Sequence, residues 1–223
     1  MNILTQTLAI ASKDLRSELR TRYAVNALLM FVVTSVATIL FAIREDRVST
    51  DVLSGMYWVV VFFSGMAGLS RIFVGEEERG TALTLRLIAS PSAVYFGKLL
   101  FNCLQTILLV LAATVLYLAA FPEFVIRSAA LFAATVVFGS LGFAAAATII
   151  AAIVAKAQAK GTLYTVLSFP ILAPLLLTVI QTTAMALDGA EFSAALGQFQ
   201  ILIGYICAVV GLSFILFDYI WKD

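Results

Sequence analysis

The stretch SAALFAATVVFGSLGFAAAATIIAAIVA, residues 128–155, decides the fold of this protein, because it contains no charged residue. A helix needs about 20 apolar residues to cross the hydrocarbon core of a bilayer, which is about 30 Å thick. Since lipid offers no hydrogen-bond partners, a run of this length has to satisfy its backbone amide and carbonyl groups within a helix. The stretch therefore predicts a transmembrane helix.

Five further apolar stretches of similar length predict five more spans. Of the 223 residues, 62% are hydrophobic and 12% are charged, with a mean hydropathy of +1.06, whereas soluble domains are about half apolar and a quarter charged. We therefore expect an all-α polytopic membrane protein with a single transmembrane domain over residues 1–223. The six predicted spans cover residues of about 24–43, 52–74, 99–121, 128–155, 161–187 and 199–217.

Charged and apolar residues are mixed in residues 1–22, before the first span. Lys13, Asp14 and Arg16 stand among Leu4 and Leu8, a pattern typical of an amphipathic helix that lies in the membrane interface. A cleaved signal peptide places its apolar core within the opening residues, whereas here the uncharged run begins only at about residue 24. We expect the amino terminus to be retained.

Lysine and arginine are distributed unequally between the two sides that six spans define. Three of the 14 lie on one side, Arg44, Arg47 and Arg127, and the other eleven lie on the side of both termini. Because cytoplasmic loops carry the excess of basic residues, both termini are expected in the cytoplasm. The formal net charge is +1 without a basic tail, so we expect membrane lipid rather than nucleic acid around this chain.

The composition also argues against catalysis by this chain. It has no histidine, which removes the commonest proton shuttle, metal ligand and axial heme ligand. Cys103 and Cys207 fall within predicted spans, where buried packing explains them better than a disulfide or a zinc site. No G-x-x-x-x-G-K-[ST] phosphate loop is present. We expect no catalytic residue and no metal site, and any ATP has to be bound by another subunit.

The segment between the second and third spans carries the most informative polar residues. A helical wheel over residues 76–90 places Arg86 and Ser90 on one narrow side and leucines on most of the remainder, which predicts a helix along the membrane surface. The glutamates at 76–78 are expected in its first turn, where they complement the positive end of the helix dipole. Pro91 is expected to end the helix.

Two interpretations of this segment are open. It is either an ordinary surface helix or a docking element for a cytoplasmic motor. The docking interpretation assigns partner contacts to Glu76, Glu77, Glu78, Arg79, Gly80, Thr81, Arg86, Ser90 and Pro91.

Several motifs resemble those of a known family. The pattern E-x-x-x-G-T at 76–81, followed by S-P at 90–91 and G-K at 97–98, looks like the coupling-helix region of ABC-2-type export permeases. The sequences KDL at 13–15 and ELR at 18–20 resemble the heme exporter protein B family, the permease of bacterial cytochrome c maturation. Similar to the same family are GLSR at 68–71, AKAQAKG at 155–161, FPILAPLL at 169–176 and FDY at 217–219. The resemblance covers nearly the whole chain.

The resemblance implies a permease in the bacterial inner membrane that acts in heme export or delivery. It implies a separate cytoplasmic ATP-binding subunit that engages the coupling helix, two copies of the permease per complex, and a heme-handling membrane partner. By this reading the chain alone binds no cofactor, ATP acts through the partner subunit, and heme is met only through the complex. Since the chain has no histidine, we expect a partner to hold the heme iron.

Three amides lie within predicted spans: Asn102 and Gln105 in the third, and Gln181 in the fifth. Such residues line a transport path or form hydrogen bonds between helices, and the sequence leaves both roles open.

Other function classes fit the sequence less well. An ion-driven transporter needs ionisable groups near the bilayer midplane, and an intramembrane enzyme needs an acid, base or metal set; the uncharged spans offer almost none of these. An ABC-2-type exporter of lipid, polysaccharide or drug remains open as an alternative, as does a non-transporting assembly scaffold.

Overall fold

A computed structural model describes residues 2–43, 48–69, 71–78, 80–156 and 160–222. These residues form nine α-helices and one short 3-10 helix, Phe192–Ala195, and no strand among them. The helices are α1 (Ile3–Thr21), α2 (Tyr23–Ile43), α3 (Thr50–Leu69), α4 (Arg71–Glu78), α5 (Ala82–Ile88), α6 (Pro91–Ala120), α7 (Ala129–Ala155), α8 (Lys160–Asp188) and α9 (Leu196–Lys222).

Six segments are long and apolar enough to cross a membrane, which confirms the all-α, six-span prediction. They are Val25–Ile43, Thr50–Glu78, Pro91–Ala120, Ala129–Ala155, Val166–Asp188 and Phe192–Trp221. Two additional helices are α1, before the first span, and α5, between the second and third; that they act as an interfacial and a coupling helix stays a prediction.

Helix α6 begins earlier than the predicted start at about residue 99. Ser90 is its N-cap, and the Ser90 hydroxyl accepts a hydrogen bond from the backbone N–H of Ala93 at 3.4 Å. Pro91 occupies the first helical turn, where its missing N–H costs nothing. Helix α5 ends at Ile88, and Ser90 and Pro91 then start α6, which is the third span.

Helix α7 is the centre of the bundle. It packs against α8, α6 and α9, and 78% of its span window is buried, against 17% for the first and the last span. Two glycines permit the close approach. A Cβ added at Gly139 would lie 2.7 Å from the ring of Trp58, and one at Gly142 would lie 2.7 Å from Leu175. Small residues allow membrane helices to pack backbone to side chain in this way.

Helix α1 packs mainly against α6. Gly97 on α6 makes room for it, since a Cβ there would lie 2.8 Å from Ile10 and 3.0 Å from the carbonyl oxygen of Thr7. At the start of α6, the Gln6 side-chain oxygen accepts hydrogen bonds from the N–H and the hydroxyl of Ser90 at 3.4 and 3.3 Å. The amino-terminal helix is therefore fixed to the first turns of the third span.

Candidate functional site

The glutamates at 76–78 occupy the last turn of α4, not the first turn of a coupling helix, so that prediction was wrong. Gly80 has φ +66°, its N–H donates to the Glu77 carbonyl at 3.1 Å, and the Thr81 N–H donates to the Glu76 carbonyl at 3.0 Å. These two bonds form a Schellman motif, which ends a helix with a glycine in the left-handed region. The sequence E-E-E-R-G-T thus marks a helix end.

Helix α5 follows this turn and carries Arg86. The Arg86 guanidinium lies 5.3 Å from the ring of Trp221 near the end of α9 and 3.8 Å from a carboxylate oxygen of Glu77. Arg86 therefore attaches α5 to the rest of the chain instead of pointing freely outward. The outer surface of α5 is apolar, with exposed fractions of 66% for Leu83, 80% for Leu87 and 68% for Ile88.

Glu76 points inward, unlike its two neighbours. Its carboxylate accepts hydrogen bonds from the ammonium of Lys13 on α1, the ammonium of Lys98 on α6 and the hydroxyl of Thr81. Glu77 and Glu78 stay exposed, and Glu78 pairs with Arg71 at 3.2 Å. Glu76 therefore connects three helices at the point where α4 ends.

Lys98 is the buried cation of this site, with 1% of its surface exposed. Its ammonium lies 2.8 Å from the Glu76 carboxylate, 2.9 Å from the Asp14 carboxylate and 3.3 Å from the carbonyl oxygen of Ile72. A lysine has three N–H donors; Glu76 and the Ile72 carbonyl accept hydrogen bonds from two of them, and Asp14 pairs with the ammonium by charge. A buried charge is tolerated only with such pairing.

We define the charge cluster as Lys13, Asp14, Glu76 and Lys98. It carries two positive and two negative formal charges, so it is neutral. Burial alone would lower the pKa of Lys13, but the hydrogen bond to Glu76 and the charges of Asp14 and Glu76 outweigh this effect and raise the pKa above its ordinary value. The contribution of Lys13 to stability is therefore present below the ordinary lysine pKa and is lost only as the pH rises through the raised one. Lys13 therefore stays charged across the neutral range.

The structure brings some of the predicted contact residues together and leaves others apart. Glu76 and Thr81 join the charge cluster, and Glu77 and Arg86 face each other. Gly80 forms the turn, while Ser90 and Pro91 start α6. Arg79 lies outside the described residues.

The three amides within the spans have different surroundings. Asn102 donates a hydrogen bond to the Thr148 hydroxyl at 2.8 Å and so links α6 to α7. Gln105 is buried, and its amide nitrogen has no hydrogen-bond partner among the described residues. Gln181 lies exposed on the outer surface of α8.

Sequence reasoning missed Lys13, Asp14 and Lys98 as site residues. One signal was available for Lys98: proline favours the first turn of a helix, so starting the third span at Pro91 places Lys98 two turns inside it. A lysine at that position needs partners. No comparable signal identified Asp14 or Glu76 as those partners, because they are far apart in sequence.

Chemically, the arrangement is a set of ion pairs that connects three helices. The described residues contain no group of three or more His, Cys, Asp or Glu side chains that could hold a metal ion. The cluster fixes α1, α4 and α6 to one another next to the apolar surface of α5.

Comparison with known proteins identifies one family. No curated protein sequence matches the chain. A family model described as CcmB protein matches residues 5–217. Proteins of this family are permease subunits of the heme exporter of cytochrome c maturation, and they work with an ATP-binding subunit and other maturation proteins. Because the match extends from α1 to α9 and the chain forms six apolar helices, this multi-pass membrane protein belongs to the CcmB, or heme exporter protein B, family.

Proposed function

We propose that this chain is the membrane permease subunit of an ABC transporter complex in heme export or delivery, and that a separate cytoplasmic ATPase drives it through the segment 76–91. The charge cluster is the observation that supports this function most. It joins the end of α4 to α1 and to α6 through buried ion pairs. A motor that moves the turn at Gly80 therefore acts on two further helices at once.

The docking surface is the outer side of α5. Leu83, Leu87 and Ile88 form an exposed apolar patch, and Glu77 and Glu78 lie exposed beside it. Interfaces combine an apolar centre with a polar rim in this way. Arg86 and Glu76 hold the patch in place from within the chain, so we assign these two residues a positioning role. The three apolar side chains of the patch are assigned to contact with the ATPase.

Orientation and assembly follow from the same proposal. The excess of basic residues on the side of both termini supports a cytoplasmic position for the termini, α1 and α5, and the bacterial inner membrane is the proposed location. Helix α1 exposes Ile3, Leu4 and Leu8, as expected of a helix lying in the membrane interface. Two permease copies per complex are proposed, with the heme iron held by a membrane partner, since this chain has no histidine.

Capture of the ATPase subunit tests the docking surface. The double substitution Leu87→Ser with Ile88→Ser removes two exposed apolar side chains, and we expect capture by the tagged chain in detergent to fall by about tenfold or more, as for central interface residues. The matched control, Leu4→Ser with Leu19→Ser, removes two leucines of similar exposure on α1 and should leave capture unchanged. Equal capture by both variants, at the wild-type level, would contradict docking on α5.

The identity of the transported species is tested on the complex purified from its native membrane. Recovery of an ATPase together with cytochrome c maturation proteins, and ATP hydrolysis that responds to added heme, is the expected result. Hydrolysis that responds to a lipid or drug and not to heme would instead favour an exporter of another substrate. Recovery of no ATPase would contradict the transporter proposal.

A further inference from the structure

A cavity of about 490 Å³ lies beside the charge cluster, between α1, the α3–α4 segment and α6. Its volume falls in the range of small-molecule sites. Glu18 of α1 and Glu78 of α4 line it, and Phe101 and Gln105 of α6 do so further along the third span. The charge cluster forms one wall through Asp14, Glu76 and Lys98.

Gln105 leaves a hydrogen-bond donor unused in this cavity. The side chain is 5% exposed, and its amide nitrogen has no partner among the described residues. Buried donors in folded proteins are almost always paired. An unpaired amide that lines a cavity therefore indicates a ligand with an acceptor oxygen.

The charges of the lining indicate that the ligand also carries a cation. Four carboxylates line the cavity, those of Asp14, Glu18, Glu76 and Glu78, against the two cations Arg71 and Lys98. Lys98 pairs with Asp14 and Glu76, and Arg71 pairs with Glu78. Glu18 accepts one backbone hydrogen bond, from Val25 at 2.9 Å, and has no ion pair within the described ranges. Counted with Lys13, which pairs with Glu76 from outside the lining, the groups around the cavity carry a formal excess of one negative charge, at Glu18.

A ligand that satisfies both groups is a zwitterion. A lysine or arginine side chain of a partner protein supplies a cation but no acceptor for Gln105. A dianionic tetrapyrrole supplies acceptors but is repelled by the acidic lining. An ammonium group joined to a phosphate meets both requirements.

We propose that this cavity binds the ammonium–phosphate headgroup of an aminophospholipid from the cytoplasmic leaflet. The ammonium lies at Glu18, and a phosphate or ester oxygen accepts from Gln105. The lipid is favoured over a soluble zwitterion because two of the segments that line the cavity are long and apolar enough to cross a membrane, and because Phe101 and Ile72 add apolar surface to its lining.

Native mass spectrometry of the purified full-length chain tests this site. The delipidated chain is titrated with phosphatidylethanolamine or phosphatidylglycerol, and we expect one phosphatidylethanolamine to be retained about tenfold more tightly, a difference of about 1.4 kcal/mol. Glu18→Gln and Gln105→Met, which preserve side-chain size, should each remove this preference. The controls Glu191→Gln and Gln200→Met change the same residue types at exposed positions and should keep it.

Three results would overturn the proposal. They are equal retention of both lipids, a preference that survives in both cavity variants, and displacement of the lipid by an equal concentration of soluble glycerophosphoethanolamine. Glu18 is only partly buried, so its variant remains informative even if Gln105→Met does not fold. Because no ATPase or heme is present, the result does not depend on the proposed transport function.

Discussion

At the scale of single residues, Lys98 shows how one charge organises the end of the bundle where α1, α4 and α6 meet. It lies in an otherwise uncharged span, yet its ammonium meets two carboxylates and a carbonyl oxygen. Taking such a charge out of water costs several kcal/mol unless its partners compensate. The position of Lys98 therefore dictates that Asp14 and Glu76 lie beside it.

Replacing Lys98 tests this dependence. Lys98→Met leaves Asp14 without its short ion pair and Glu76 with Lys13 alone, and we expect a loss of stability on the order of 3 kcal/mol, measured by thermal unfolding in detergent after membrane insertion is verified. Adding Glu76→Gln restores neutrality and should recover part of the loss. The control is Lys156→Met, at an exposed lysine with no ion pair to the described residues. If Lys98→Met unfolds at the same temperature as Lys156→Met, the charge cluster does not stabilise the fold.

At the scale of elements, α1 behaves as part of the third span and not as a separate appendage. Gln6 bonds to Ser90 and Ile10 packs over Gly97. Asp14 pairs with Lys98. These contacts follow successive turns of α1, so the helix is fixed along its length.

A methyl group at Gly97 tests that attachment. Gly97→Ala places a Cβ 2.8 Å from Ile10 and 3.0 Å from the backbone of Thr7, and overpacking of this kind costs about 1–3 kcal/mol. We expect faster proteolysis of α1 and a lower unfolding temperature. Gly55→Ala is the matched control, since nothing lies within 4 Å of a Cβ there, and it should be neutral or stabilising by up to about 1 kcal/mol. If the two variants are equally stable, the close contact at Gly97 does not determine how firmly α1 is attached to α6.

Helix α4 shows why a wheel diagram is not sufficient to place the ends of a helix. The glutamates suit either the start of a helix, by their charge, or the end of one, if a glycine follows at the correct distance. The left-handed turn at Gly80 ends α4 after Glu78, despite three acidic residues near the negative end of its dipole. Ion pairing of all three glutamates offsets that unfavourable charge.

At the scale of the whole molecule, an even number of spans, six, puts the two termini on the same side, and from the excess of basic residues we propose that this side is the cytoplasm. The charge cluster, α5 and the carboxyl-terminal end of α9 share one face, where Arg86 contacts Trp221. Under the proposed function, this is the face that a soluble ATPase would reach.

Reporter fusions check the orientation. A full-length chain with green fluorescent protein at its carboxyl terminus should fluoresce, because the reporter folds in the cytoplasm. Alkaline phosphatase fused after Glu123 or after Gly189 should be active, because both positions fall between spans on the opposite side. Active phosphatase at the carboxyl terminus, or inactive enzyme at both internal positions, would reverse the assignment.

The sequence alone determined the membrane environment, the six helices and the family resemblance, because these depend on local composition, on run length and on short motifs. It also located the segment 76–91, whose turn and cap residues act on their immediate neighbours. Only the tertiary structure decided that Lys13, Asp14, Glu76 and Lys98 meet, that Arg86 faces inward, and that Gln105 lines a cavity. These contacts join residues distant in sequence, and helix periodicity specifies which face a side chain occupies but not which helix packs against that face.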